Sequence, residues 1–457
     1  MMDLAAAAAA VNGRVVGANP RFARVTTDSR AVEPGDLFVA LSGERFDGHD
    51  FVASAFERGA VAALVAAGRG AFAGPVIEVD DPLAALGALA AAWRARFDLP
   101  VVVVVGSNGK TTVKEMAASI LRAAFGLEGV LATTGNFNNA IGLPLTLLRL
   151  CSDHRVAVVE LGMNHRGETR VLAAIAAPTI VVVNNAQREH QEFMADVDAV
   201  AAEHADAVLA LRRGGMAVLN ADDPACDLWR RAATAAGASV RTFALHAPAD
   251  VSAHASFAAD RSVLAIRTWA GPVDARVPVP GEPMARNALA ATAASLAAGA
   301  GLDAVVRGLA AFHPAAGRLV SRRASSGALV IDDSYNANPD SVRAAIDVLA
   351  RAGGERWLVL GDMGEVGVEG PAFHREVGAY ARERGIDRLE AMGPQARLSV
   401  EAFGTGARWH ADVDALCAAV VSAASGQTTI LVKGSRFMRM ERVVAAVLGE
   451  TVAAGVH

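Results

Sequence analysis

Cysteine is scarce in this sequence. Its 457 residues include three cysteines, Cys151, Cys226 and Cys417, which lie far apart and form no Cys-x-x-Cys pair. This spacing argues against a disulfide framework and against a cysteine-rich zinc site. It is typical of a protein from a reducing compartment.

Long apolar runs and an excess of positive charge are also missing. The nearest approach to a membrane span, residues 288–302, is interrupted by Thr292 and Ser295, and no basic segment precedes the alanine run at the N-terminus. The sequence therefore predicts neither a membrane-spanning helix nor a signal peptide. The net charge of -5 argues against nucleic-acid binding through overall positive charge. We expect a soluble, cytoplasmic protein.

Apolar residues, by contrast, make up 53% of the chain and charged residues 20%. At typical domain sizes, this length predicts about three domains. Short β-branched runs alternate with helical stretches, which is typical of parallel, doubly wound sheets. We therefore predict an α/β fold with domains at 1–82, 83–316 and 317–457, and a small appended sheet at about 249–280. The predicted strands include 101–105, 155–161, 180–183 and 216–219 in the second domain, and 329–331, 357–360 and 429–432 in the third.

Polar residues follow six of these strands where each strand ends. Asn and Asp often simply begin loops at such positions. In open α/β sheets, however, the ligand crevice lies beyond the carboxyl ends of the strands. Six such endings on two sheets predict two functional faces opposed across a cleft. The endings are Glu160, Asn184-Asn185, Asn220, Asp332-Asp333, Gly361-Asp362 and Lys433.

The strongest motif lies between a buried-type strand and an apolar helix, the context of a phosphate-binding loop. Glycines let backbone N–H groups converge on phosphate oxygens, and the helix N-terminus adds positive potential. Lys110 would reach the β- and γ-phosphates, and Thr111 would hold Mg²⁺. Val104 stands where the strict pattern has glycine, so a glycine turn with an incidental lysine is the alternative. The motif consists of Gly106, Ser107, Asn108, Gly109, Lys110, Thr111 and Thr112.

Two further residues are candidates beside this loop. Glu160 ends a strand of the same predicted sheet, where a Mg²⁺–nucleotide site needs an acidic ligand; the alternative is a surface glutamate. His190 lies in a polar loop, where a histidine is usually solvated. The sequence His190-Gln191-Glu192 fits His-x-Glu, but the Pro-Cys-x-x-Cys partner of zinc deaminases is absent, which excludes that zinc site.

The segment 332–341, Asp-Asp-Ser-Tyr-Asn-Ala-Asn-Pro-Asp-Ser, is dense in polar groups. Asn338 is a good helix N-cap, Pro339 suits the first helical position and Asp340 suits the first turn. Capping leaves residues 332–336 unexplained, so they are candidate ligand contacts. The polar loop at 133–139 is a weaker candidate.

Together these motifs resemble the Mur ligases, the ATP-dependent amide-forming enzymes of peptidoglycan synthesis. Residues 333–339 are most similar to the members that add D-alanyl-D-alanine, and the Asp-Asn-Pro-Arg motif of the diaminopimelate-adding members is absent. The similarity runs nearly from end to end. The matching stretches are 27–30, 34–41, 106–112, 134–139, 160–164, 220–223, 287–290, 317–319, 360–363 and 433–436.

The resemblance implies an N-terminal UDP-substrate domain, a central phosphate-loop ATPase domain and a C-terminal Rossmann-like domain. It implies ATP and Mg²⁺, the substrates UDP-N-acetylmuramoyl-tripeptide and D-alanyl-D-alanine, an acyl-phosphate intermediate, and a monomer. A sibling ligase or a folylpolyglutamate synthase is one alternative, but it should lack the 333–339 stretch and this N-terminal domain. A phosphate-loop regulator without ligase activity is another, and it would leave 433–436 without an explanation.

The family also implies roles for individual residues. Lys110, Glu160 and His190 are the implied catalytic and Mg²⁺-binding set, with Thr111. The implied nucleotide contacts outside the loop are Asn287, Arg318, Asp333 and Tyr335. The implied substrate contacts are Ser29 and Arg30 near the uridine diphosphate, Thr134, Asn136 and Asn138 near the muramoyl end, and Asn336, Asn338, Lys433, Ser435 and Arg436 for the dipeptide.

The sequence departs from the family at two places. Most members have a carbamylated lysine after the histidine loop, and residues 201–206 contain none. Glu203 or His204 would have to substitute, or the second Mg²⁺ would be held differently. Pro283 also stands near the position where the family usually has a histidine before its Asn-Ala-Leu-Ala motif.

Overall fold

Three β-sheets follow one another along the chain in the computed structural model, which describes residues 1–258 and 260–450. They contain five, nine and six strands. Helices cover the sheets, so the fold is α/β as predicted. No helix among the described residues is long and apolar enough to cross a membrane.

The first sheet has the strand order β1-β5-β4-β3-β2. Its strands are parallel except β1, which runs antiparallel to β5. Strand β3 is buried along its whole length, so both faces of the sheet are covered there. The elements of this region are α1 (Leu4–Ala10), β1 (Arg14–Val16), β2 (Arg24–Thr26), β3 (Asp36–Val39), α2 (Val52–Glu57), β4 (Ala62–Ala66) and β5 (Val76–Val79).

The central sheet has the order β14-β13-β12-β11-β10-β9-β6-β8-β7. Its first elements are α3 (Pro82–Arg94), β6 (Val101–Val105), α4 (Lys110–Phe125), β7 (Val130–Ala132), α5 (Gly142–Leu147), β8 (Val156–Glu160), α6 (Glu168–Ala176), β9 (Ile180–Val183) and α7 (Val197–Leu209). The remaining ones are β10 (Met216–Asn220), α8 (Cys226–Ala235), β11 (Ser239–Ala244), β12 (Val251–Phe257), β13 (Ser262–Thr268), β14 (Gly271–Val277), α9 (Glu282–Ala297) and α10 (Leu302–Ala310).

The prediction of a separate appended sheet at 249–280 is wrong. Strand β12 pairs in parallel with β11, and β13 and β14 continue the same sheet as antiparallel neighbours. Burial alternates along β13, and its buried Leu264 and Ile266 belong to the same apolar cluster as α4 and α9. The hairpin thus extends the apolar face of the central sheet.

The third sheet has the order β15-β16-β20-β17-β18-β19, with only β15 antiparallel. Its elements are β15 (Val320–Arg323), β16 (Leu329–Asp333), α11 (Pro339–Ala350), β17 (Glu355–Leu360), α12 (Gly370–Glu383), β18 (Arg388–Met392), α13 (Ala396–Phe403), β19 (Ala407–His410), α14 (Val413–Ala423), β20 (Thr428–Lys433) and α15 (Glu441–Leu448).

Strand β6 lies at the junction of two large apolar clusters. Val101, Val103 and Val105 pack into a cluster shared with the first sheet. Val102 and Val104 pack on the opposite face, in a cluster that continues into the third sheet. A strand with apolar side chains on both faces explains the uninterrupted valine run. Because β6 packs against both clusters, the loop that follows it is held near all three sheets.

Candidate active site

The carboxyl ends of the central and third sheets open into one cavity of about 940 Å³. Glu160, Asn185, Asp333 and Lys433 line it, so the polar strand ends converge as predicted. Two other endings serve the fold instead. Asn220 donates a hydrogen bond to the Asn184 carbonyl, and Asp362 accepts hydrogen bonds from the amides of residues 395 and 396.

The phosphate-type loop forms one wall of this cavity, from Ser107 to Thr112. Helix α4 begins at Lys110, and its N-cap, Gly109, provides no side-chain hydrogen bond. Gly109 has φ +83°, and a Cβ atom there would lie 2.5 Å from the Asn287 Oδ1 atom. The helix therefore starts with amides that have no side-chain cap and with a backbone shape that favours glycine.

Lys110 is folded back onto this loop. Its Nζ atom donates hydrogen bonds to the Gly106 carbonyl at 2.5 Å and the Ser107 carbonyl at 3.3 Å. It also lies 3.4 Å from the Oε2 atom of Glu189. The ammonium is thus held at the mouth of the loop, where phosphate oxygens would meet it.

Glu189 is a buried acidic residue that sequence reasoning missed. Its carboxylate lies 3.8 Å from the His190 Nε2 atom and 3.6 Å from the His204 Nε2 atom. Burial alone would raise the pKa of Glu189, but the charge of Lys110 and the neighbouring side chains of His204 and His190 hold it well below its ordinary value. Its position directly before His190 was the only sequence signal available.

Glu160 and Thr111 supply a donor set that suits a hard divalent cation. The Oε1 atom of Glu160 accepts a hydrogen bond of 2.7 Å from Asn138, while its buried Oε2 atom has no hydrogen-bond partner among the described residues. Thr111 lines the same cavity. Among the described residues, no three His, Cys, Asp or Glu side chains group as a metal cage. Since Mg²⁺ typically uses one or two carboxylates with waters and phosphates, these residues fit it.

His190 occupies an unusual backbone position beside this pair. Its φ is +50°, in the left-handed region, and its Nδ1 atom lies 2.6 Å from the Oε2 atom of Glu365 in the third region. Its side chain lines the cavity. His190 is therefore not a solvated loop residue but a fixed side chain at the contact between two sheets, and its role toward Mg²⁺ stays a prediction.

The two candidates for the missing lysine have different surroundings. Both oxygens of Glu203 accept hydrogen bonds of 2.8 Å, from the amides of Gly167 and Thr169. His204 instead faces Glu189, and in the part of the chain that the structure describes neither of its buried ring nitrogens has a hydrogen-bond partner. Glu203 is thus fully used in holding a loop, whereas His204 is directed toward the cluster around Lys110.

The C-terminal wall of the cavity is made of side chains that bind one another. The Nζ atom of Lys433 lies 2.5 Å from the Oδ2 atom of Asp333 and donates to the Asn336 carbonyl at 2.9 Å. Burial raises the pKa of Asp333, and the charge of Lys433 opposes that rise. Arg318 stacks 4.2 Å above the Tyr335 ring and donates to Thr111 Oγ1 at 3.3 Å. Lys433 is therefore paired and not a free cation.

Asn338 is an N-cap, as the sequence predicted, and also a bridge between sheets. It forms a capping box with Ser341 at the start of α11. Its Nδ2 atom donates a hydrogen bond of 3.0 Å to the Oδ1 atom of Asn108.

The side-chain amide of Asn287, at the adenine position that the family implies, accepts a 2.9 Å hydrogen bond from Asn184. Pro283 lies in the first turn of α9, a favourable place for proline.

Several predicted residues lie outside the lining of this cavity. Gly106 belongs to the phosphate-type loop but does not line the cavity. Most of the others form contacts with residues near them. Arg30 pairs with Asp28, Thr134 accepts a hydrogen bond from Arg149, Ser435 binds the backbone of residues 337 and 364, and Arg436 pairs with Glu441. The remaining one is Ser29, in a short 3-10 helix of the first region.

Three family models match successive parts of the chain. A "Mur ligase family, catalytic domain" matches residues 21–94, a "Mur ligase middle domain" 104–295, and a "Mur ligase, glutamate ligase domain" 317–436. The chain is also 40% identical to the UDP-N-acetylmuramoyl-tripeptide--D-alanyl-D-alanine ligase of Escherichia coli K12, over 95% of this chain and 96% of that protein. The chain belongs to the Mur ligase family.

Solved structures of the family agree with this assignment. The UDP-N-acetylmuramoylalanyl-D-glutamyl-2,6-diaminopimelate--D-alanyl-D-alanyl ligase of Acinetobacter baumannii has a TM-score of 0.85 and 33% identity, over 98% of each chain. The MurF ligase of Thermotoga maritima, solved in complex with ADP, has a TM-score of 0.84 and 26% identity, over 93% of this chain and 97% of that one. The predicted three-region Mur ligase fold is confirmed.

Proposed function

We propose that the chain joins D-alanyl-D-alanine to UDP-N-acetylmuramoyl-tripeptide, with cleavage of ATP to ADP and phosphate, in peptidoglycan precursor synthesis. The observation that carries this is the meeting of two motifs in one cavity. The phosphate loop is general to ATP-using ligases, whereas residues 333–339 are typical of dipeptide-adding members. Asn108 and Asn338 join the two stretches by a direct hydrogen bond.

A carboxylate is a poor electrophile, so the reaction needs an activation step. Transfer of the ATP γ-phosphoryl group to the terminal carboxylate of the tripeptide gives an acyl phosphate. The amine of the dipeptide attacks the acyl carbon, and the tetrahedral intermediate collapses to the amide with loss of phosphate. Positioning and charge neutralisation carry most of such catalysis.

Lys110 neutralises the β- and γ-phosphates, because its ammonium is already held at the loop mouth. The uncapped amides at the start of α4 bind phosphate oxygens. We assign Thr111 and Glu160 to one Mg²⁺ and His190 to a second. When bound, Mg²⁺ supplies further neutralisation of phosphate charge. Glu189 keeps the charge of Lys110 balanced when no nucleotide is present.

The other side chains orient the substrates. We assign Asn287, Arg318 and Tyr335 to the nucleoside, with Asp333 held for the ribose by Lys433. Asn136 and Asn138 face the muramoyl end, and Asn336 remains the candidate contact for the dipeptide on this wall. Three assigned residues lie outside the cavity lining: Ser29 and Arg30 are assigned to the UDP moiety, and Thr134 to the muramoyl end.

The organisation of the chain follows from the same proposal. We place the domain boundaries at 82/83, at the start of α3, and at 316/317, between α10 and β15. A monomer suffices, since one chain supplies every group that lines the cavity. Its use of ATP and of a UDP-linked precursor favours the cytoplasm as its compartment.

The deciding experiment measures phosphate release from ATP with purified protein, Mg²⁺ and UDP-N-acetylmuramoyl-tripeptide, with and without D-alanyl-D-alanine. We expect release that requires both substrates, and a pentapeptide product by mass spectrometry. Phosphate release that is indifferent to the dipeptide would contradict the proposal, and a panel of other amines would then identify a sibling ligase.

A further inference from the structure

Six cationic or histidine side chains line the active-site cavity, and Arg166 differs from the other five. The others are Lys110, His190, Arg286, Arg318 and Lys433, each with a charged, polar or aromatic partner within the protein. Within the described ranges, Arg166 lines the cavity with no hydrogen bond, ion pair or ring partner. An exposed guanidinium with no protein partner is available to an anion in the cavity.

The loop that carries Arg166 is held in place from both ends. The carboxylate of Glu168 accepts hydrogen bonds from the amides of Asn164 and His165, at 2.7 and 3.2 Å. The buried carboxylate of Glu203 accepts from the amide of Gly167 at 2.8 Å. The backbone on either side of Arg166 is thus fixed, so its guanidinium projects from a preorganised support.

The position of this loop indicates which substrate Arg166 meets. It begins directly after β8, where the amide of Gly162 donates a hydrogen bond to the carbonyl of Asn138. The side chain of Asn138 in turn donates to Glu160. The following helix, α6, packs against α3, which leads out of the first sheet. Arg166 therefore lies on the side of Glu160 that faces the first region, whereas Arg318 and Asp333 belong to the third.

The proposed acceptor carries more than one carboxylate. The name of the Acinetobacter relative describes an alanyl-D-glutamyl-2,6-diaminopimelate chain. A glutamyl residue linked through one carboxyl group keeps the other free, and diaminopimelate has two, of which one is activated. At least one carboxylate thus remains close to the reacting end.

We propose that Arg166 binds a carboxylate of the acceptor peptide other than the one that is phosphorylated, and thereby contributes to recognition of the acceptor. This rests on the proposed function, since it deepens the assignment of the acceptor. Arginine forms paired hydrogen bonds to a carboxylate, which lysine does not reproduce. Arg166 is a specificity residue and has no part in phosphoryl transfer.

The test compares wild type with Arg166→Met and Arg166→Lys, on acceptors that end in diaminopimelate or in lysine. Arg170→Met is the matched control, because Arg170 lies one turn further on and pairs with Asp206. We expect Arg166→Met to raise the acceptor KM by about 10- to 100-fold. The KM values for ATP and D-alanyl-D-alanine should stay within about twofold, with partial recovery in Arg166→Lys.

The two acceptors separate the possible carboxylates. A KM increase confined to the diaminopimelate acceptor places the contact at the third residue, and an equal increase with both places it at the glutamyl carboxylate. Unchanged acceptor KM values in Arg166→Met, in an enzyme that still forms the pentapeptide, would overturn the role of Arg166 alone. If wild type forms no product and binds neither acceptor by calorimetry, the proposed function and the role of Arg166 are both wrong.

Discussion

The starts of α4 and α11 both follow a parallel strand and both face the active-site cavity, yet they are built in opposite ways. Helix α4 begins after Gly109, which provides no side-chain cap. Helix α11 begins after Asn338, which forms a capping box with Ser341 and is followed by Pro339. An uncapped start leaves amides for an external anion, whereas a capped one satisfies its own amides. The first is suited to a ligand and the second to holding the fold.

The neighbours of the two helix starts fit this difference. Lys110 lies at the first start with its ammonium partly exposed to the cavity. At the second, Asp340 accepts hydrogen bonds from the backbone and guanidinium of Arg188, a residue of the central region. Two helix starts that occupy similar places after a strand are thus suited to different tasks, the first to binding an anion and the second to contact between regions.

Lys110→Ala should give the largest effect, because it removes the charge at the ligand-binding start. We expect the rate of ligation to fall by about 10²- to 10³-fold or more, as for the loss of an electrostatic group at a transferring oxyanion. Binding of the UDP-linked acceptor, measured by calorimetry, should change little. Retained ligation by a correctly folded variant would contradict the nucleotide assignment.

Gly109→Ala should come next, because it changes the shape of the same start without removing charge. The new Cβ atom would lie 2.5 Å from Asn287 Oδ1 and 2.7 Å from Asn184 Nδ2, and φ is +83°. We expect ATP affinity, measured by calorimetry, to fall by more than about tenfold, since a displacement of this size disturbs a positioned site.

Gly449→Ala is the control for this change. Gly449 also has a left-handed backbone, with φ +71°, and apart from its chain neighbours no described residue has an atom within 4 Å of a Cβ built there. It should lose about 1 kcal/mol of stability from backbone strain and keep normal ATP affinity. Equal ATP affinities in the two variants would contradict a positioning role for the backbone at Gly109.

Local patterns in the sequence predict the position of the start of α4, but they do not predict which distant side chains surround it. The valine run, the glycines and the lysine predict strand, loop and helix in order, and the structure has them at Val101–Val105 and Lys110–Phe125. The polar strand ends also predict the cavity edge at Glu160 and Asp333. These features depend on neighbours in sequence, so a pattern suffices.

Such patterns do not predict ion pairs between residues that are far apart in the sequence. The resemblance implied a dipeptide contact at Lys433, but no pattern indicated that its ammonium pairs with Asp333, 100 residues away. Glu189 and Arg166 were missed, because a loop glutamate or arginine has meaning only once its spatial neighbours are known. Whether a charged side chain is paired is determined by tertiary placement, which one sequence does not show.

Asn338→Ala tests the capped start of α11 and should have a moderate effect on stability and on kcat. Loss of an N-cap should lower the free energy of unfolding by about 1 kcal/mol. Loss of the hydrogen bond to Asn108 should lower kcat by about two- to tenfold. Urea denaturation and steady-state kinetics measure the two effects, and the KM for D-alanyl-D-alanine should not change.

Asp412→Ala provides the comparison, because Asp412 caps α14 in the same region and is not part of the cavity lining. It should cost similar stability and leave kcat unaltered. A raised dipeptide KM in Asn338→Ala, with no loss of stability, would instead make Asn338 a dipeptide ligand and contradict the contrast between the two helix starts.

Arg188→Met should give the smallest effect of the four, a change in Tm that depends on pH. It tests whether the start of α11 serves contact with the central region. The Nη1 atom of Arg188 donates a hydrogen bond of 2.7 Å to the Oε2 atom of Glu376. This bond lowers the pKa of Glu376 below its ordinary value of 4.5, although burial opposes the shift. A lowered pKa means that the bond contributes stability above about pH 4.5, and that this contribution is lost as the pH falls through the folded-state value.

The difference in Tm between wild type and Arg188→Met should therefore be constant from pH 7 to about pH 5 and shrink below that. It should correspond to no more than about 1 kcal/mol, because the pair is partly exposed to solvent. Arg170→Met, which removes an ion pair within the central region, should show a smaller difference. A Tm difference that grows on acidification would mean that Arg188 does not stabilise the ionised form of Glu376. The start of α11 would then be joined to the central region by Asn108 and the Arg188–Asp340 pair, without a contribution from α12.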